Sequence, residues 1–499
     1  MFNNIDTNKI LQLFIYNPRD PLLFSSGFFI FIFFFFLLFL WFVRNNKNIR
    51  VGYILIFSLF YYYKVSGMFF LLLAGAAVFN FFMGKLIAFF EYGWKRRIVL
   101  IFSVLVNIAV LFYFKYTNFF IEVYNGIQNS AVEFVDIIVP IGISFYTFKS
   151  LSYLFDLYLE KIEPEKNLFN FSLYVCFFPN LLAGPIDRAE KFLPQIKEKL
   201  FISKEDIGKG LFLIMSGIIK KLIIADYISL NFVDRVMDEP LRFTGVENLF
   251  ATYGYALQIY CDFSGYSDIA IGLALLMGFK LMDNFNNPYK ATSVADFWRR
   301  WHISLSSWLL DYIFKPLQMS WRNLRIVGNA SAVIVTFVIC GFWHGANWTF
   351  IIWGLIHGLF MAFSMFTKTP RTWIQRKLHL ENTKLLKVVQ VFITFNLVAL
   401  SWVFFRSVTF QSALDVFSQM YYFFHPEVFV QFVQGYPAIS AMIIISLILQ
   451  FLPYKVEEKT IQLITDTPLV GKAIMLTLVI WIATQVRSSD LQPFIYFQF

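Results

Sequence analysis

LFSSGFFIFIFFFFLLFLWFV, residues 23–43, decides the solvent in which this chain folds. It carries no charge. As a helix of about 20 residues it is long enough to cross the hydrocarbon core of a bilayer. It exceeds the roughly 7–15 apolar residues of a secretory signal, and residues 1–22 before it are mixed polar. It therefore reads as a retained membrane helix. Further apolar runs follow at roughly 51–64, 67–90, 98–116, 137–155, 168–186, 208–229, 247–279, 328–365, 386–405, 438–453 and 470–486. The expected fold is all-α: a polytopic integral membrane protein with about 11–13 transmembrane helices in a single membrane domain over 1–499.

Composition agrees. The 499 residues are 58% hydrophobic and only 15% charged, with 65 phenylalanines, against about 25% charged residues in a soluble domain. Mean hydropathy is +0.62. The net charge of +10 does not point to nucleic acid. Lys and Arg gather in short loops, RNNKNIR at 44–50 and KRR at 95–97, which is the pattern of cytoplasmic loops. With those loops inside, the N-terminus is expected outside. Three scattered cysteines, Cys176, Cys261 and Cys340, form neither a disulfide framework nor a zinc site, and no metal site is expected.

Several runs are poor partners for lipid. Residues 137–159 hold Pro140 and Lys149, and 174–188 hold Pro179 and Gly184-Pro185. Residues 255–279 hold Asp262 and Asp268 with Ser264, Gly265, Ser267 and Gly272. Such segments are tolerated where they face protein or a water-filled cavity. Segment 295–317, ADFWRRWHISLSSWLLDYIFKPL, repeats Phe297, Trp301, Leu305, Leu309 and Ile313 every four residues. That periodicity predicts one helix in or near the interface, with His302 at the edge of its apolar stripe.

Of five histidines, His379 and His425 sit in polar loops, and His357 reads as a buried hydrogen-bonding residue. His344 and His302 remain. His344 lies within CGFWHGANWTF (340–350), near Trp343, Trp348 and Trp353, and His302 lies among Trp298, Trp301 and Trp308. Aromatic walls hold an imidazole neutral, the state in which it accepts a proton. Gly345 would leave room for substrate, and Asn347 could orient the ring or hold a carbonyl oxygen. Cys340, four residues before His344, allows a Cys–His pair or a plain packing thiol.

DFWRRWHISLSSWLLDYIFKPL (296–317), GFWHGANWTFIIWGLIHG (341–358), IYCDFSGYSDIAIGLALLMGF (259–279), PIGISFYTFKSLSYLFDLY (140–158) and FFPNLLAGPIDR (177–188) together resemble the membrane-bound O-acyltransferase family, in particular its bacterial alginate O-acetyltransferase branch. KPLQMSWRNLRIVGN (315–329) departs from the Gly-Gly-Asn turn that often follows in that branch. The resemblance implies a ring of helices around a central funnel. The core would cover about 137–365, with flanking helices in 1–136 and 366–499. It implies acyl transfer to a hydroxyl, with His344 and His302 catalytic. Asn347, Trp343, Trp348, Trp298, Asp262 and Asp268 would contact substrate. No bound cofactor is implied; acetyl-CoA or another acyl thioester is the donor substrate. The implied acceptor is alginate or another cell-surface polysaccharide, reached directly or through a periplasmic acetyltransferase partner. The implied location is the bacterial inner membrane, with lipid around the chain and no nucleic acid. D-alanyl or peptidoglycan-type transfer within the same family stays open. So does the rival class, a multi-pass transporter, because broken helices with intramembrane acids also line transport paths.

Overall fold

The computed structural model describes residues 12–24, 26–486 and 494–495. Residues 1–11, and with them the side on which the N-terminus lies, are outside the described residues. Among the described residues the regular structure is helical, with no strand. Seven of the described helical stretches are long and apolar enough to cross a membrane, or eight when a pair bent by 94° (Val428–Gly435 and Pro437–Gln450) counts as one span. The chain is a polytopic all-α membrane protein.

The dozen apolar runs exceed the spans because several runs bend to bury polar groups. The chain packs as two compact units. In the unit of 1–210 with 269–282, α1 (Gly27–Val43) is followed by α2 (Lys47–Ser66) and α3 (Phe70–Phe89), which form one continuous stretch, and by α4 (Trp94–Gln128). Asn80 on α3 and Asn107 on α4 exchange two buried amide hydrogen bonds of 3.1 and 2.8 Å. The run at 137–155 starts extended, and α5 (Ile143–Tyr158) begins only after Gly142. Gly142 has φ +79°, and a Cβ there would stand 2.6 Å from the Leu181 carbonyl oxygen, so only glycine fits. The run at 168–186 yields the short α6 (Leu168–Cys176) and then breaks around Pro179. That break lets Asn180 accept from Lys149 Nζ at 3.0 Å and donate to Asp187 at 2.8 Å. All three side chains are buried. Burial pushes the Asp187 carboxyl up to about 6.

The second unit, 211–268 with 283–499, holds most of α7 (Gly245–Leu276). The most apolar stretch of this helix is 89% buried, which suits its two acids. Gly265 lets residue 217 approach closely; a Cβ there would lie 2.9 Å from the Gly217 carbonyl oxygen. The run at 328–365 is two antiparallel helices, α10 (Arg325–His344) and α11 (Trp348–Phe366), broken at 345–347. A Cβ at Gly341 would stand 2.2 Å from Phe350 O, and one at Gly354 2.2 Å from Phe337 O. The two backbones therefore touch.

The single helix expected over 295–317 is a correction. α8 (Val294–Trp298) stops, residues 299–301 turn, and His302 takes a left-handed conformation (φ 43°) before α9 (Ile303–Leu309). The fourfold apolar repeat cannot reveal this, because the turn is held by tertiary bonds. Asn286 N–H donates to the Arg300 carbonyl, and Ile303 N–H to the Asn284 carbonyl, both at 2.9 Å. Beyond α11 come α12 (Lys368–Lys377), α13 (Lys384–Arg406) and α14 (Phe410–Tyr422).

Candidate active site

His344 ends α10 and is buried, 3% exposed. Its ring sits 4.8 Å from Trp343, 5.2 Å from Trp353 and 5.3 Å from Phe405 between centroids. Gly345 after it is extended and makes the chain turn into α11. The room expected at Gly345 is filled: a Cβ there would meet the Phe350 ring at 2.2 Å.

Asn347 is the N-cap of α11. Its Oδ1 accepts from the Thr349 N–H at 2.9 Å, and its Nδ2 donates to the Val408 carbonyl at 2.9 Å. These bonds make Asn347 hold the break in place while it also lines the cavity. The bond to Val408 ties this turn to the segment after α13.

His302 is fully buried, and its tautomer follows from its partners. The Ser304 backbone N–H, an obligate donor, points at Asn284 Oδ1 (3.3 Å). The amide oxygen therefore faces that side, and His302 Nδ1, 3.0 Å from the same atom, must carry the proton. Asn284 Nδ2 donates onward to Ser267 at 3.1 Å. Nε2 is left as the ring's acceptor. Burial pushes the imidazole down to about 3, so the ring is neutral. Trp343 touches both histidines: its ring lies 6.2 Å from His302 and 4.8 Å from His344.

His357 is a buried hydrogen-bonding residue. Trp298 Nε1–H donates to its Nδ1 at 3.2 Å, so its proton is on Nε2, which faces Ser401 Oγ at 2.9 Å. Ser401 in turn donates to the Val398 carbonyl at 2.7 Å. Trp298 is thereby engaged in packing α8 against α11. Because the helix breaks at 345–347, His357 comes close to His344, with Trp353 between them at 5.0 and 5.2 Å. Trp348 is 54% exposed, and Cys340 is fully buried.

A cavity of about 480 Å³ is lined by Phe405, whose ring lies 5.3 Å from that of His344; His344 itself is not in its wall. Asn347, Thr349, Phe350, Phe405 and Arg406 form one wall, and Tyr255, Gln258 and Asp262 from α7 form another. Asp262 pairs with Lys221 at 2.5 Å, and Lys221 with Asp226 at 2.8 Å. Asp268 does not reach this cavity; it pairs with Lys220 at 2.6 Å. The structure thus brings Asp262 and Asn347 together near His344. His344, Trp343, His302, Trp298, Trp348 and Asp268 are not in the cavity wall; His302 and Trp343 lie 6.2 Å apart between ring centroids. Lys220, Lys221, Asn284 and Arg406 escaped the sequence reading. The first two had a signal, a Lys-Lys pair inside the apolar run at 208–229. Among the described residues no group of three or more His, Cys, Asp or Glu is placed to hold a metal.

Comparison with known proteins gives the context for this geometry. The sequence profile of MBOAT, the membrane-bound O-acyltransferase family, matches residues 59–401. The chain is 36% identical over 443 residues to the "Peptidoglycan O-acetyltransferase" of Helicobacter pylori, covering 83% of this chain and 81% of that protein. It is 37% identical over 418 residues to the "Probable alginate O-acetylase AlgI" of Pseudomonas aeruginosa, covering 81% and 75%. A more distant match, 30% over 279 residues, is to the "Teichoic acid D-alanyltransferase" of Bacillus subtilis, covering 53% and 68%.

Proposed function

Because this chain belongs to the membrane-bound O-acyltransferase family, and is an acyltransferase, we propose that it moves an acetyl group from a cytoplasmic thioester, acetyl-CoA or a similar donor, to a hydroxyl of an extracytoplasmic glycan. The transfer goes directly or through a partner transferase, in a bacterial cytoplasmic membrane. The observation that carries the reading is His344, buried among Trp343, Trp353 and Phe405 at the break between α10 and α11, with the cavity against Phe405 and Phe350.

His344 is the general base. It removes the proton from the acceptor hydroxyl as that oxygen bonds to the thioester carbonyl carbon. The tetrahedral intermediate collapses by breaking the C–S bond, and the proton on the imidazolium passes to the departing thiolate. The products are an ester and a free thiol, with His344 neutral again. Such a base contributes roughly 10²–10⁴ in rate. His302 is a neutral ring two aromatic contacts away and supports Trp343; its role is positioning.

Charge supports the orientation. The loops at 315–325 and 367–387 hold Lys315, Arg322, Arg325, Lys368, Arg371, Arg376, Lys377 and Lys384, so they lie on the cytoplasmic side. α10 and α11 meet at 345–347 and α13 ends at Arg406, at the opposite ends of those helices. The cavity is built on that opposite, extracytoplasmic side. The test is transfer of label from acetyl-labelled CoA in membranes. Wild type is expected to label a glycan or partner protein, and His344→Ala at matched expression to fall by about 10²-fold or more. Equal transfer by both would reject His344 as the base.

A further inference from the structure

α12 (Lys368–Lys377) joins two membrane spans, and nothing in the fold covers it. One residue, Thr367, separates it from the end of α11, and residues 378–383 separate it from the start of α13. Both neighbours have the length and hydropathy of spans, so both ends of α12 are tied to the same membrane surface. No residue of α12 is buried. Trp373 is 60% exposed, Ile374 48%, and Leu378, directly after the helix, 59%. With helical periodicity these three fall on one side, and Lys368, Thr372, Gln375 and Arg376 on the other. In water that apolar side stays uncovered. Between headgroups and acyl chains it is buried, and Trp sits at the depth where tryptophans gather.

The charge of this connection is one-sided. Residues 367–387 hold six Lys or Arg, namely Lys368, Arg371, Arg376, Lys377, Lys384 and Lys387, against one acid, Glu381. Glu381 pairs with Arg376 at 2.8 Å, and Arg371 donates to Ser364 Oγ at 3.1 Å. Lys368, Lys377, Lys384 and Lys387 have no carboxylate partner among the described residues, and every residue of the stretch is described. Lys377 Nζ lies 5.1 Å from the centroid of the Trp373 ring, so its stem follows the apolar side while its ammonium stays at the edge. A soluble anion could pair with the lysines and would leave Trp373, Ile374 and Leu378 in water. An anionic phospholipid meets both needs at once, with its chains on the apolar side and its phosphate on the ammonium groups.

We propose that α12 lies flat in the membrane interface and binds anionic phospholipid. Each cation near an anionic surface is worth about fivefold in affinity. The contact is independent of His344. The experiment places the full chain with Ile374→Cys, labelled with a nitrobenzoxadiazole fluorophore, in phosphatidylcholine vesicles. Cys176, Cys261 and Cys340 are buried, and wild type carried through the labelling gives the background. Equal small fractions of doxyl-labelled phosphatidylglycerol or doxyl-labelled phosphatidylcholine are then added as quenchers. Both are expected to quench, and the anionic lipid at least about twofold more strongly. Lys368→Gln with Lys377→Gln and Lys384→Gln should bring the two lipids to parity while quenching persists; all three lysines are exposed, so folding is not at stake. Equal quenching by the two lipids in the unsubstituted background would overturn the proposal, as would an undiminished preference in the triple variant. No quenching by either lipid would show the apolar side in water or against another protein copy, and would also overturn it. So would loss of the preference on adding excess CoA, which would give the lysines to the phosphates of a soluble donor.

Discussion

His302 shows how much a single residue here depends on burial. Its ring carries a proton on Nδ1 only, bonded to Asn284, and has a folded pKa of about 3 against an ordinary value of 6.5. As pH falls, the unfolded chain takes up the second proton first. Stability is therefore untouched above about pH 6.5, falls below it, and stops falling near pH 3. At pH 5 the loss from this ring is about 2 kcal/mol. His302→Asn keeps a residue suited to the left-handed conformation and removes the titration. The drop in thermal midpoint between pH 7.5 and pH 5 should be smaller in that variant than in wild type, measured in detergent; an equal drop would place the acid sensitivity elsewhere. The same depressed pKa means that an activity limb near pH 6–7 does not belong to His302, and His302→Asn should leave the position of such a limb unchanged.

At the scale of elements, the α10–α11 pair positions His344, the proposed base. Its two backbones approach through Gly341 and Gly354, where a methyl group would fall 2.2 Å from a carbonyl oxygen. Gly354→Ala must push the helices apart at an overpacking cost of about 1–3 kcal/mol, and His344 moves with α10. Both the thermal midpoint and acetyl transfer should fall. Gly75→Ala in α3 is the matched control, since a Cβ there meets nothing within 4 Å. It should stabilise the helix by about 0.5–1 kcal/mol and leave transfer unchanged. The ion pair on α7 is a second element-scale device. Asp262 and Lys221 are both buried, so Lys221→Met leaves the Asp262 carboxylate without this cation and should cost about 3–5 kcal/mol. Lys221→Met with Asp262→Asn should cost less than Lys221→Met alone in the same unfolding assay.

Over the whole molecule, the proposed orientation rests on the distribution of basic loops. Lys377 in α12 and Val408 after α13 are both exposed and lie at opposite ends of α13. In intact cells a membrane-impermeant thiol reagent reaching the cell membrane should label Val408→Cys. It should label Lys377→Cys only after permeabilisation. The reverse pattern would turn the cavity towards the cytoplasm and overturn the proposed orientation.

Fold class, membrane residence and the two histidine-bearing motifs were legible in the chain itself, because hydrophobic length and local motif spelling are properties of consecutive residues. Residues 23–43 needed no partner to be read as apolar helix, and GFWHGANWTF needed none to mark His344. The breaks were not legible. Nothing in the fourfold repeat of 295–317 reveals that the chain turns at His302, since the bonds holding that turn come from Asn284 and Asn286. Nor could spacing show that Asn347 would bond Thr349 and Val408, that Trp298 would serve His357, or that Asp262 would pair with Lys221 in a cavity wall. Those outcomes depend on which buried polar group finds which partner, and in an apolar interior that is settled only when distant segments pack and every desolvated donor and acceptor has to be satisfied.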